Sequence, residues 1–180
     1  MTKGKRFNDD VLWAGMGEKW QGWFDIRVLW GSKVLFKAPL NDMMLEKRGD
    51  KPGELFFFAP EFKLHIDEYT NDKQPDFNIG QYGSSVGNDY WLFTVMPNGV
   101  ISRLPFDDWG NPSPIFVELN GTSNTTDRIV KDGKRIKFQY SLRGEDEDFT
   151  DWYIWRGGYF RLSEKKHGRW VDVRPDSQKE

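Results

Sequence analysis

The chain predicts an all-β fold of about ten mainly antiparallel strands in a meander, arranged as a sandwich, an open barrel or a partial propeller. Three observations carry that prediction. Nine Trp, 14 Phe and 6 Tyr make 16% of the 180 residues aromatic, and large aromatic side chains suit a pleated, half-buried surface. Short runs alternate apolar and polar residues at a period of two. Between the runs stand the pairs Gly31-Ser32, Asn98-Gly99, Asp132-Gly133 and Gly157-Gly158, which supply the positive φ that tight hairpins need.

Taken in order, the first run is residues 23–30, where Phe24, Ile26, Val28 and Trp30 alternate with Asp25 and Arg27. This is the pattern of a half-buried strand. Gly31-Ser32 then turns the chain into residues 33–37, with glycine at the first position as a type II′ hairpin requires. In residues 41–53 Met43, Met44 and Leu45 are consecutive and form no helical stripe, so an irregular connection is expected. Residues 55–58 are a short apolar run closed by Ala59-Pro60, and Phe62, Leu64 and Ile66 restart the alternation, continued by Phe77 and Ile79. The Gly- and Ser-rich residues 80–88 read as a loop, and residues 90–95 as a strand reversed by Asn98-Gly99 into Val100-Ile101.

Residues 105–114 hold three prolines and Gly110 and predict a surface loop, or a seam inside one β-rich domain spanning 1–180. Beyond them, residues 116–119 form a strand. Asp132-Gly133 predicts a type I′ hairpin between residues 129–130 and 136–140, and Gly157-Gly158 another between 152–155 and 159–162. Residues 170–173 add a last strand.

Composition narrows the function. With 28 acids against 26 bases the formal net charge is -2, so no basic footprint for nucleic acid exists. The absence of cysteine removes disulfides, thiolate metal sites and a cysteine nucleophile. No apolar run reaches the roughly 20 residues of a spanning helix, and no apolar signal core follows residues 1–6.

The segment with the most specific chemistry is residues 68–77. Glu68, Thr70, Asp72 and Asp76 place side-chain oxygens at the spacing of a calcium loop, with the main-chain carbonyl of Gln74 as a fifth donor, and Ca²⁺ is held by six to eight such oxygens. A solvated polar turn is the competing reading, and Asp67 supplies a further oxygen if the register slips by one. This stretch resembles the FG-GAP or VCBS calcium loop, written D-x-N-x-D-G-x-x-D-F. Asp72 and Asp76 match that pattern, whereas Glu68, Thr70 and Lys73 stand at its Asp, Asn and Gly. The similarity runs over residues 62–104, and a weaker echo in residues 132–140 and 155–160 is similar to the tryptophan hairpin that closes such repeats. The resemblance implies a secreted or cell-surface location, calcium-stabilised loops and a role in surface recognition. A cytoplasmic location stays open.

Tryptophans near glycines are the other candidates: Trp13, and above all Trp20, Trp23 and Trp109. Loop aromatics bind sugars or proteins by stacking, and equally cap β cores that lack helices. The acidic run 145–148 and the pair Asp107-Asp108 read as water-separated charge. Asn120-Gly121-Thr122 and Asn124-Thr125-Thr126 fit the glycosylation pattern and read more simply as turns. His65 is expected in an apolar strand and His167 in a turn. No nucleophile elbow, metal-ligand histidine pair or phosphate loop is present, and nothing selects the carboxylate pair that a glycosidase would need. The expected function is therefore a non-catalytic, extracytoplasmic or cell-surface binding domain with a protein or glycan partner. An inhibitor or immunity protein that occludes an enzyme or toxin is the alternative, followed by a carbohydrate-binding or carbohydrate-active protein.

Overall fold

The computed structural model describes residues 1–9, 17–45, 53–59, 64–84, 87–108, 111–113, 115–117, 124–141 and 148–168. In chain order these form β1 (Lys3–Asp9), β2 (Gly17–Trp23), β3 (Asp25–Trp30), β4 (Lys33–Pro39), α1 (Leu40–Met44) and β5 (Leu55–Phe58). Next come β6 (Ile66–Asp67), β7 (Asp76–Ser84), β8 (Gly87–Val95), β9 (Ile101–Leu104), β10 (Phe106–Asp108) and β11 (Asn111–Ser113). The last are β12 (Ile115–Val117), β13 (Ile129–Asp132), β14 (Arg135–Ser141), β15 (Asp148–Arg156) and β16 (Tyr159–His167). The all-β class holds, and among the described residues sixteen short strands, against about ten expected, build four sheets with no closed barrel.

The central sheet has β7 and β8 at its middle, with β6 outside β7. The far edge of β8 is shared, β12 pairing with residues 88–90 and β9 with residues 92–95. Both faces of this sheet are covered. Tyr90, Leu92 and Leu104 point to Ile129, Ile136, Phe138 and Phe160 of the six-stranded sheet β11-β10-β16-β15-β14-β13. Phe77, Ile79, Trp91, Phe93 and Ile101 point the other way, to Leu55 and Phe57 of β1-β2-β5, to Leu40 and Met44 of α1, and to Phe24, Ile26 and Phe36 of the β3–β4 hairpin. Successive side chains on a strand alternate faces, so β8 feeds both cores at once.

Several expectations change in the light of this layering. Residues 80–84 are strand rather than loop, because Gly80 lies under the Tyr90 ring: a Cβ there would stand 2.4 Å from a ring carbon. Residues 105–114 carry the β10–β11 hairpin instead of a structureless loop. There the chain leaves the central sheet after β9, joins the six-stranded sheet through a parallel pairing of Phe106 with Phe160, and returns as β12. Residues 40–44 form one helical turn where an irregular connection was expected. The strand expected over 23–30 breaks at Phe24, whose N–H donates to Asn41 Oδ1 at 2.9 Å and whose carbonyl accepts from the Leu40 amide at 2.7 Å. Asn41 Nδ2 also donates to the carbonyls of Gly22 and Gly53, at 3.0 and 2.9 Å.

A register shift at Val28/Leu29 then turns the hairpin end away from the core, so Trp30 is 79% exposed rather than inward-facing. Gly133 and Lys134 occupy the centre of the β13–β14 turn and only Gly133 has positive φ, at 63°, which removes the type I′ geometry expected for Asp132-Gly133. Gly157 and Gly158, at 66° and 86°, do adopt it. β1 and β2 had no alternating signal. They pair over seven residues, with Gly4 opposite Gly22 where a Cβ on either would meet facing backbone at 2.2 Å. Residues 170–173 lie outside the described residues.

Gly80→Ala should therefore cost about 1–3 kcal/mol by forcing the Tyr90 ring out of place. Asn41→Ala should cost about 2–3 kcal/mol by leaving the Phe24 amide and two carbonyls without partners. Urea unfolding of each variant against the parent checks both values.

Candidate functional site

The structure separates the candidate tryptophans. Trp20 and Trp23 lie three apart on β2 and so face opposite ways, while Trp13 and Trp109 lie outside the described residues. Trp23 sits at the end of β2, opposite Lys3. Trp20 borders a partly open cavity of about 450 Å³ between the β1-β2-β5 sheet, the β3–β4 hairpin and the central sheet. Phe57 and Phe58 reach it from β5, Phe24 and Ile26 from β3, and Ile79 from β7. Phe24 and Phe57 meet edge to face with ring centres 4.8 Å apart, the arrangement their opposed quadrupoles favour. Arg6 stands 5.5 Å from the centre of the Trp20 ring.

One charged side chain joins this apolar lining among the described residues, Asp25. Its Oδ2 lies 2.9 Å from Lys37 Nζ and 3.4 Å from an Arg27 guanidinium nitrogen. The Lys37 hydrogen bond first, and the Arg27 contact after it, hold the Asp25 carboxyl below the ordinary carboxylate range. The local sequence explains the site. Asn41 splices β2 to β3 at Phe24, and that splice places Phe24 and Leu40 together on the cavity wall. Trp20 was legible as a candidate. Asp25 was not singled out, because an acid at an alternate strand position reads as a solvated face.

The loop over residues 68–76 brings its oxygens together for a different purpose. Asp76 is fully buried, and its Oδ2 accepts from the amides of Tyr69 at 2.6 Å and Thr70 at 3.1 Å, with the Thr70 hydroxyl at 3.4 Å. Asp72 Oδ1 accepts from the Gln74 amide at 2.8 Å. Glu68 is ion-paired with Lys131 of β13, and Asn71 Nδ2 donates to the Lys134 carbonyl at 3.1 Å, so the loop is riveted to the six-stranded sheet. Lys73 adopts a φ of 68° and Asn71 one of 66°, left-handed backbone that costs a lysine about 1–2 kcal/mol. Lys73 thus takes the conformation of the family pattern's glycine without its freedom.

One oxygen of each of Glu68 and Asp76 is engaged by the protein, while among the described residues Glu68 Oε1 and Asp76 Oδ1 are buried without a hydrogen-bond partner. An ammonium holds the first carboxylate, the last faces amides inside the core, and among the described residues no three acidic, histidine or cysteine side chains converge on one point. The Asp76 carboxyl is pushed up, by burial first, against the opposing effects of the facing Thr94 hydroxyl and the two amides. Burial also acts to raise Glu68, but the Lys131 hydrogen bond and charge prevail and hold it down.

The remaining candidates have structural roles or fall outside the description. Asn124 is 6% exposed, and its side-chain amide pairs with both the N–H and the carbonyl of Phe58 at 2.8 Å, which makes it a strand surrogate and no glycan acceptor in the folded chain. Asn120 and residues 145–147 lie outside the described residues. His65 is exposed and precedes β6, contrary to its expected place in an apolar strand. His167 ends β16, rather than a turn, with its ring centre 4.6 Å from that of Phe149.

Asp76 gives a test with a sign. A folded-state carboxyl raised above 3.8 favours folding below that pH and loses the contribution as pH rises through the folded value. Asp76→Asn, which keeps an acceptor for the amides, should therefore hold or raise Tm at pH 7, with the gain shrinking as pH falls toward 3.8. Asp76→Ala should cost about 2 kcal/mol near pH 3.8, by stranding the Tyr69 and Thr70 amides, and less at pH 7, where the parent has lost the contribution of its raised carboxyl. Calcium and a chelator should give the same Tm for the parent protein, and a calcium-dependent rise abolished in Asp76→Asn would establish a metal site instead.

No family model, no curated protein and no solved structure matches the chain.

Proposed function

We propose that the chain is a non-catalytic binding protein whose ligand site is the cavity beside Trp20, and that the ligand is a small molecule with an apolar ring or chain. The observation that carries this reading is the cavity's size and lining together. A volume of about 450 Å³ walled by Trp20, Phe24, Phe57 and Phe58 falls within the roughly 300–1,000 Å³ of small-molecule sites, which are mostly apolar with few oriented polar groups. A sugar would need many convergent donors and acceptors, and here one carboxylate, Asp25, already engaged by Lys37, is the only charged group in the described lining. An apolar ligand needs none.

A second reading, the inhibitor type, draws on the β3–β4 hairpin. Its end exposes Leu29, Trp30, Val34 and Leu35, and Arg27, Lys33 and Lys37 lie along the same two strands. A protein with an apolar pocket and an acidic rim would complement it.

Titration with indole, naphthalene and decanoate, followed by calorimetry, separates the readings. Ile79→Phe, which adds volume inside the cavity, should weaken binding of the best ligand by at least about tenfold, the equivalent of 1.4 kcal/mol, and Trp20→Ala should weaken it as well. Binding that survives both changes, or no binding of any apolar ligand, would sink the cavity reading. Capture of a partner that Trp30→Ala abolishes would favour the hairpin.

A further inference from the structure

On the outer face of the six-stranded sheet, away from the cavity beside Trp20, we propose a second binding site, for a small oxyanion such as a phosphate or carboxylate group, centred on the Lys137 amine. Lys137, on β14, lies opposite Trp152 of β15, and the neighbouring row sets Gln139, Thr150 and Lys166 side by side across β14, β15 and β16. These side chains, with His167 and Gly168, surround a pocket of about 220 Å³. That volume is below the range of drug-sized ligands and suits a small anion.

The key observation is Lys137 itself. It is 7% exposed, on the outer face of the sheet, and its amine forms no hydrogen bond or ion pair with any described residue. Lysine is almost never buried to this extent unless paired. The nearby acids among the described residues are committed elsewhere. Asp132 Oδ2 accepts the Trp152 indole N–H at 2.6 Å and lies 3.9 Å from Arg135. Glu164 is bound by Arg135 at 2.8 Å and by Lys166 at 3.0 Å. Lys166 stands 5.0 Å from the Trp152 ring centre and Arg135 5.5 Å from it, so the indole forms a wall held between two cations. Among the described residues the Lys137 amine is left as the one donor in the pocket with a full charge and no partner, beside the Thr150 hydroxyl and the Gln139 amide.

Burial lowers the Lys137 pKa, with Asp132 opposing the shift from a distance. A partly desolvated ammonium gains from a counterion, and an oxyanion in the pocket supplies one through a charge-assisted hydrogen bond. Lys166 and His167 add donors at the rim. The selectivity expected is for anions over neutral ligands, and for oxyanions with several acceptor atoms over chloride.

The test is a titration with inorganic phosphate and with acetate at constant ionic strength, chloride being the balancing anion, read by thermal melting and by the NMR signal of the Lys137 ε-methylene. Saturating phosphate should raise Tm by about 3 °C and move the Lys137 signal. Lys137→Met, which keeps the apolar stem, should abolish the rise, and Thr150→Val should weaken it severalfold. A response to acetate as well as phosphate assigns the site to oxyanions generally, and a response to phosphate alone assigns it to phosphoryl groups. An equal Tm rise in Lys137→Met and parent, or a Lys137 signal that neither anion moves, would overturn the proposal.

Discussion

Burial of β8 on both faces is the constraint on which the rest of the structure depends. Tyr90, Trp91, Leu92 and Phe93 are four consecutive residues with at most 5% of their surface exposed, each contributing about 1.5–3 kcal/mol on burial. A strand this apolar on both sides cannot sit at the surface of a two-layer sandwich. It demands a covering layer on each side, and the chain supplies the six-stranded sheet on one and the two smaller sheets with α1 on the other. The short strands, the excursion of β10 and β11 into the second sheet and the splitting of the β8 edge between β9 and β12 all serve that double cover.

Covering one sheet twice with short segments leaves many backbone groups without a ladder, and asparagine side chains take over. Asn41 joins β2, β3 and α1. Asn78 pairs with both the amide and the carbonyl of Thr126, at 2.8 and 2.9 Å, and Asn124 does the same for Phe58. A carboxamide presents a donor and an acceptor in the geometry of a peptide group, so each of these residues acts as one residue of a missing strand. Asp76 belongs to the same set, with a carboxylate in place of an amide. The polar face of β7, made of Asp76, Asn78 and Gly80, thereby anchors residues 69–70 and 124–126 against the core.

Chemistry is distributed accordingly. Glu68 and Asp76 each use one carboxylate oxygen in holding the loop over 68–76 to the frame, through Lys131 and the loop amides. Concave apolar space instead collects where three sheets fail to meet, beside Trp20. The outer face of the six-stranded sheet carries a separate charged lattice of Arg135, Glu164, Lys166 and Asp132 around Lys137. These two places differ in kind, one lined mainly by apolar side chains, the other by polar ones.

Residue type and local pattern by themselves determined the β class, the hairpins at Gly31-Ser32, Asn98-Gly99 and Gly157-Gly158, and the strands at Leu55–Phe58 and Ile129–Asp132. These depend on interactions within a few residues, namely turn geometry and side-chain alternation. β1, β2, β10 and β11 carry no such signal and exist because a partner strand satisfies their backbone. Trp20 was visible as a candidate, but its separation from Trp23, the cavity beside it and the place of Asp25 in its wall came from the packing of three sheets. The spacing of Glu68, Thr70, Asp72 and Asp76 was equally visible. Whether those oxygens face a cation or a set of amides depends on Lys131, more than fifty residues away in the chain, and only the tertiary structure brings that ammonium to Glu68.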